Sequence, residues 1–253
     1  TFETDPELEV LSQLGVVNVD QTPAEPWTEW STETIVALRE RFDKFGINLE
    51  MMHIPLRGRP AIGSDTRPGQ PNSAGIIFLG PSDERDRLID HACEVIRMAG
   101  EAGLRGLNYN ITVLGHMRTK AKTGRGGATL STFEFDKLDQ TLGEFEGGAA
   151  DEDTMWERID YWLQKVIPVA EEYKVQMACH PSDPGIGNGA TYRGVARPLG
   201  MADGFKKFID LYDSPYNGLN FCQGCMSEAL ENPAEEIFDV IRYFGERKKI
   251  FNV

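Results

Sequence analysis

The sequence predicts an α/β barrel built on a parallel sheet, and three observations carry that prediction. Apolar runs of strand length alternate with amphipathic helical stretches along the whole chain. The separations between runs leave room for one loop and one helix, the spacing of parallel neighbours joined by a crossover. A chain of 253 residues, 40% hydrophobic and 26% charged, can bury one large core. A single domain over residues 1–253 is therefore expected.

The elements follow in order. Asp5 is read as the cap of a helix over residues 5–14, with Pro6 at its first position and Gly15 ending it. Residues 16–20 read as a strand. After a polar loop carrying Trp27 and Trp30, Ser31 caps a helix to about residue 45, closed by Gly46. Residues 47–55 are the next strand, with Leu49, Met51 and His53 on one face. His53, near its end, is a candidate substrate contact, although a lone histidine in such a place is more often packed or hydrogen-bonded. Residues 56–81 form a long loop in which Arg57, Arg59 and Arg67 make the most basic patch, either a lid over a carboxylate or a solvated loop.

Residues 82–103 are a helix with Leu88, Ala92, Val95 and Ala99 at helical spacing, on which His91 and Cys93 read as structural. Residues 104–114 are a third strand, which places Asn108, Tyr109 and Asn110 where side chains approach a barrel mouth. From there to about residue 150 runs a second excursion with His116, Arg118 and glycines at 124, 126 and 127. No helix start follows those glycines in the dinucleotide-binding pattern, so a Rossmann fingerprint is excluded. A helix over residues 151–173 leads to a fourth strand ending at His180. Residues 201–212, 218–221, 233–245 and 248–253 follow as helix, strand, helix and strand.

The formal net charge of −14 argues against nonspecific attraction to nucleic acid. Four cysteines, at 93, 179, 222 and 225, suggest neither a disulfide scaffold nor a four-cysteine zinc site, and a reducing cytoplasm fits them best. No apolar run reaches the ~18 residues of a membrane span, and the first residues lack the basic-then-apolar pattern of a signal peptide. Neither a membrane nor a nucleic acid is expected as a partner.

Two strand ends carry the chemistry. Val175-Gln176-Met177-Ala178-Cys179-His180 stops at Pro181-Ser182-Asp183-Pro184, and Gly218-Leu219-Asn220-Phe221-Cys222 stops at Gln223-Gly224-Cys225. Parallel neighbours would bring His180 and Cys222 to one rim, where imidazole and thiolate suit zinc, manganese or iron. The competing reading is a histidine bonded to its loop and a cysteine packed as a small hydrophobe. Cys225 forms a C-x-x-C with Cys222, but a redox role calls for a helix start directly after the first cysteine, and none is expected there.

His180-Pro181-Ser182-Asp183-Pro184, then Gly194-Val195-Ala196-Arg197-Pro198, then Asp213-Ser214-Pro215-Tyr216-Asn217-Gly218-Leu219-Asn220-Phe221-Cys222-Gln223-Gly224 resemble the metal-binding half of mannonate dehydratases. The resemblance extends to Asn108-Tyr109-Asn110 and Arg118-Thr119, and more faintly to Trp27 and Pro55. It implies a TIM (β/α)8-type barrel of the xylose-isomerase-like kind. It also implies a hydro-lyase that converts D-mannonate to 2-keto-3-deoxygluconate and water. His180 and Cys222 would hold a divalent metal, with manganese the first choice and Fe2+, Co2+ or Zn2+ the alternatives. Tyr109 and Arg118 would be catalytic, and Asn110, Asp183, Arg197 and His53 would contact the sugar acid. A homo-oligomer is compatible with this reading.

A closed barrel has eight strands, and six are read here. In the family a histidine after the sixth strand, and an aspartate with a neighbouring histidine after the seventh, complete the site. The sequence is accordingly expected to be a portion of a longer chain, the alternatives being that a partner supplies the rest or that this version is inactive. A sugar isomerase or epimerase on the same barrel, and a non-catalytic barrel, are the alternatives, because fold alone does not separate them.

Overall fold

Strand and helix alternate in the folded chain much as the sequence predicts. The structure is a computed structural model and describes residues 4–56, 74–187 and 189–253. Its elements are α1 (Asp5–Gln13), β1 (Asn18–Asp20), α2 (Thr32–Asp43), β2 (Asn48–Ile54), α3 (Asp83–Glu101), β3 (Gly106–Asn110), β4 (Thr119–Thr123) and β5 (Thr129–Thr132). There follow α4 (Glu152–Tyr173), β6 (Gln176–His180), β7 (Thr191–Tyr192), β8 (Val195–Ala196), α5 (Ala202–Leu211), β9 (Asn217–Asn220), α6 (Gln223–Glu228), α7 (Pro233–Glu246) and β10 (Ile250–Asn252). Short 3-10 turns connect several of them. Arg57, Arg59 and Arg67, and with them the lid expectation, lie outside the described residues.

Side-chain caps start three of the long helices. The Ser31 hydroxyl accepts from the Thr34 amide at 3.2 Å, the Ser82 hydroxyl from Arg85 at 3.0 Å, and the Asp151 carboxylate from Thr154 at 2.9 Å. The first helix differs from expectation: its cap is Thr4 rather than Asp5, because Glu7 reaches back to accept from the Thr4 amide at 2.8 Å.

Six strands form one parallel sheet in the order β1-β2-β3-β6-β9-β10. Each neighbour follows in sequence through a helical crossover, as parallel pairing requires. The sheet is curled into a partial barrel. Met51 on β2, Ala178 on β6 and Phe251 on β10 pack together on its inner face, although these strands are not neighbours. Residues of β1 and β10, at opposite ends of that order, line one cavity of about 260 Å³. The other face is covered by helices, and Leu107, Tyr109, Met177 and Cys179 join Trp162 of α4 in the main core. Among the described residues, no helix is long and apolar enough to cross a membrane.

Two elements depart from the predicted order. The excursion after β3 contains the antiparallel hairpin β4–β5, where an irregular loop is predicted. The helix α6 begins directly after Cys222, so the expected lack of a helix start at the C-x-x-C pair is wrong.

Candidate metal centre and substrate cleft

The register of the sheet decides which side chains share the inside of the curl. Asn108 pairs with Ala178 and Asn110 with His180 across β3 and β6, and side chains alternate along each strand. Ala178 faces inward, so His180 and Asn110 share the inner face one layer nearer the carboxyl rim. His53 pairs with Asn108 across β2 and β3 and lies one layer deeper. Its Nδ1 is 2.5 Å from the Asn108 side-chain oxygen, and the Asn108 amide donates in turn to Asp20. Burial pushes the Asp20 carboxyl up, and the Asn108 donor partly offsets this. An amide oxygen only accepts, so Nδ1 of His53 carries its proton.

At the rim, His180 Nδ1 sits 2.7 Å from the Pro181 carbonyl oxygen. A carbonyl cannot donate, so Nδ1–H is the donor and Nε2 carries the lone pair that a metal would take. Cys222, two residues past β9, caps α6. Donor atoms of His180, Cys222 and Cys225 all lie within 4.8 Å of one another, and those of Asp183, Cys225 and Glu228 form a second such group. One imidazole with sulfur ligands fits a borderline or soft divalent ion.

Beside this cluster lies an open cleft of about 200 Å³, lined by Arg118, Ser131, Asp183 and Glu228 among others. Arg118 donates to the Asp183 carboxylate at 2.7 Å and to the Ser131 hydroxyl at 3.0 Å. Burial raises the Glu228 carboxyl; the Asp183 charge adds to the shift and Arg118 opposes it.

The turn that carries Asp183 is held from behind. A Cβ on Gly185 would lie 2.4 Å from the Gly200 carbonyl oxygen, so only glycine allows the two backbones to meet. The Ser182 amide donates to the Leu199 carbonyl at 2.8 Å. Arg197, 6% exposed, donates to the Gly115 carbonyl at 2.7 Å and to the Asp183 carbonyl at 3.2 Å. Burial pushes its guanidinium down to about 10, against the pull of Asp183. Replacing it leaves two backbone acceptors unmatched, and R197M is expected to cost about 2–4 kcal/mol in urea unfolding. An unchanged midpoint would show that these two bonds do not hold the turn.

The family model for D-mannonate dehydratase (UxuA) matches residues 127–253, half of the chain. The chain belongs to the D-mannonate dehydratase family. The mannonate dehydratase of Thermotoga petrophila is 29% identical to it, over 87% of this chain and 64% of the relative. That of Geobacillus thermodenitrificans is 27% identical, over 85% of this chain and 60% of the relative. The chain thus spans less than two thirds of the length of these mannonate dehydratases. Among solved structures, the mannonate dehydratase of Streptococcus suis serotype2 superposes with a TM-score of 0.75 at 22% identity, covering 97% of this chain and 67% of that one. A xylose isomerase domain protein from Planctomyces limnophilus does so with a TM-score of 0.53 at 16% identity, over 97% and 66%. The fold is a partial barrel of the xylose-isomerase-like TIM type.

Of the residues that the mannonate dehydratase resemblance singles out, His180 and Cys222 meet at the rim, Asn110 stands on the strand beside His180, and Arg118 and Asp183 meet in the cleft. His53 lies one layer deeper, and the other two do not reach the site. Tyr109, expected to be catalytic, is fully buried on the outer face, its ring 5.7 Å from that of Trp162. Burial drives its hydroxyl far above the usual phenol range. Arg197, expected to touch substrate, is spent on backbone carbonyls. Cys225 and Glu228 join these clusters of donor atoms; sequence reasoning weighs Cys225 only as the second half of a C-x-x-C pair and passes over Glu228, although one helical turn after Cys222 places Cys225 beside it.

Proposed function

We propose that this mannonate dehydratase family chain carries a metal-dependent sugar-acid dehydratase site, taking D-mannonate to 2-keto-3-deoxygluconate and water. The observation that carries the reading is the placing of His180 and Cys222 donor atoms within 4.8 Å at the carboxyl rim, beside a cleft that contains Arg118. The carboxyl rim is where barrels of this type hold their reacting groups. A divalent ion, manganese first and Fe2+, Co2+ or Zn2+ otherwise, would be held by His180 Nε2 and Cys222 Sγ and would supply Lewis acidity at the substrate carboxylate.

The other residues bind and orient. The Pro181 carbonyl accepts from Nδ1 of His180, which would leave Nε2 to take the ion. Arg118, steadied by Asp183 and Ser131, gives the acidic protein a local cation for an anionic substrate. Asn110 offers hydroxyl contacts at the rim, and His53 lies deeper, oriented through Asn108. Asp183 couples the turn after His180 to Arg118. The same reading takes residues 1–253 as one barrel domain, with a homo-oligomer compatible. It places the protein in the cytoplasm, which suits its four free thiols.

The test is incubation of the full-length protein with manganese and a panel of aldonic acids. A 2-keto-3-deoxy product from mannonate is the expected result, with metal found by elemental analysis of the active protein. Isomerised sugar without loss of water would point to the isomerase alternative, and absence of both metal and turnover would defeat the reading.

A further inference from the structure

Resting on the reading above that the inner face below the rim takes a sugar acid, we propose that Asp20 decides which way round that acid lies. Its carboxylate, held by Asn108 and His53, accepts from hydroxyls at the polyol end. Asp20 ends β1, and its side chain reaches past β2 to accept from the Asn108 amide on β3. An ionised carboxylate only accepts, so the Asn108 NH2 faces Asp20 and the Asn108 oxygen faces His53, whose Nδ1 donates at 2.5 Å. Asn108 is 4% exposed and His53 is half-buried, while Asp20 is open to the cavity of about 260 Å³ inside the curl. The two more buried members therefore hold the third, the one that a ligand can reach.

Spacing and charge both fit this part. Asn108 lies on the strand beside His180 and two residues deeper, which puts their α-carbons roughly 8 Å apart. An extended six-carbon acid spans about 6 Å, so an acid whose carboxylate lies at the rim can bring its far hydroxyls to the layer of Asn108 and Asp20. Arg105, which lines the same cavity, stands 3.9 Å from Glu50, and no cation pairs with Asp20 among the described residues. Such a carboxylate repels the acid's own carboxylate and accepts from its hydroxyls. The reversed pose meets that charge and forgoes Arg118 in the cleft.

The experiment uses the full-length, manganese-loaded protein with mannonate as substrate and a four-carbon aldonic acid, too short to reach Asp20, as competing ligand. D20A should lower kcat/KM for mannonate about tenfold to a hundredfold, mostly through KM, and leave the inhibition constant of the short acid within about twofold. D20N keeps the shape and still accepts from Asn108, so it should lose less in the same direction. Its metal content and urea midpoint should match the parent's. Equal losses for both acids, or none for mannonate in D20A, overturn the role of Asp20 and leave the dehydratase reading standing. Failure of the unaltered protein to turn over mannonate or any other aldonic acid overturns that reading itself.

Discussion

H180A is expected to weaken divalent-metal binding by about a thousandfold or more, and to remove the dehydratase activity proposed above at ordinary metal concentrations. Groups that only orient a ligand are each worth about 10–100-fold in metal affinity, so loss of a ligand itself must exceed that. The fold should survive, because the His180 side chain is half-buried and its contact with the Pro181 carbonyl is worth about 1 kcal/mol. The two readouts therefore separate: metal content by elemental analysis collapses, while the urea midpoint of the metal-free protein hardly moves. C222A should behave in the same way. C93S should keep its metal, because Cys93 lies on α3 with its sulfur 3.6 Å from the Lys165 carbonyl oxygen. An H180A protein that binds metal as tightly as its parent would remove His180 from the site.

Much of this arrangement is legible before folding. Ser31, Ser82 and Asp151 announce helix starts because each is a short polar side chain ahead of an amphipathic run, and each accepts a capping bond. The end of β6 at His180 and, to within a residue, the end of β9 are legible because an apolar run meets a breaker or a polar turn. The hairpin β4–β5 is not. Thr119–Thr123 and Thr129–Thr132 are almost entirely exposed, so no apolar alternation marks them, and backbone pairing holds them together. The short α6 is hidden for a different reason. It has only six residues, Gly224 is the second of them, and a cysteine caps it without a side-chain bond.

Facing is where the sequence reading fails at single residues. Period-2 alternation puts Asn108 and Asn110 on one face of β3 and so commits Tyr109 to the other. Grouping all three at the mouth overlooks that step. Arg197 misleads because an arginine beside a metal motif reads as a substrate grip, while its neighbours Gly115 and Asp183 present carbonyls that only the folded chain brings together. Cys225 is read only as the second half of a C-x-x-C pair, because its nearness to His180 and Asp183 depends on α6, which the sequence does not announce.

W162A is expected to destabilise the protein by about 3–5 kcal/mol, the range for deleting a large buried aromatic side chain. Trp162 is wholly buried on α4, with ring centroids 5.9 Å from Phe78 and 5.7 Å from Tyr109. It therefore joins three elements: the helix, the segment before α3 and the outer face of β3. Edge and tilted aromatic contacts of this kind add about 0.5–1.5 kcal/mol each beyond the area they bury. W162F keeps a ring in the same place and should lose roughly half as much or less. Urea unfolding of the metal-free protein measures both. Because β3 carries Asn108 and Asn110 on its inner face, W162A should also loosen the wall next to His180, seen as weaker metal binding alongside the lower midpoint. A W162A protein within 1 kcal/mol of its parent would mean that the helix layer is not anchored to the sheet at this point.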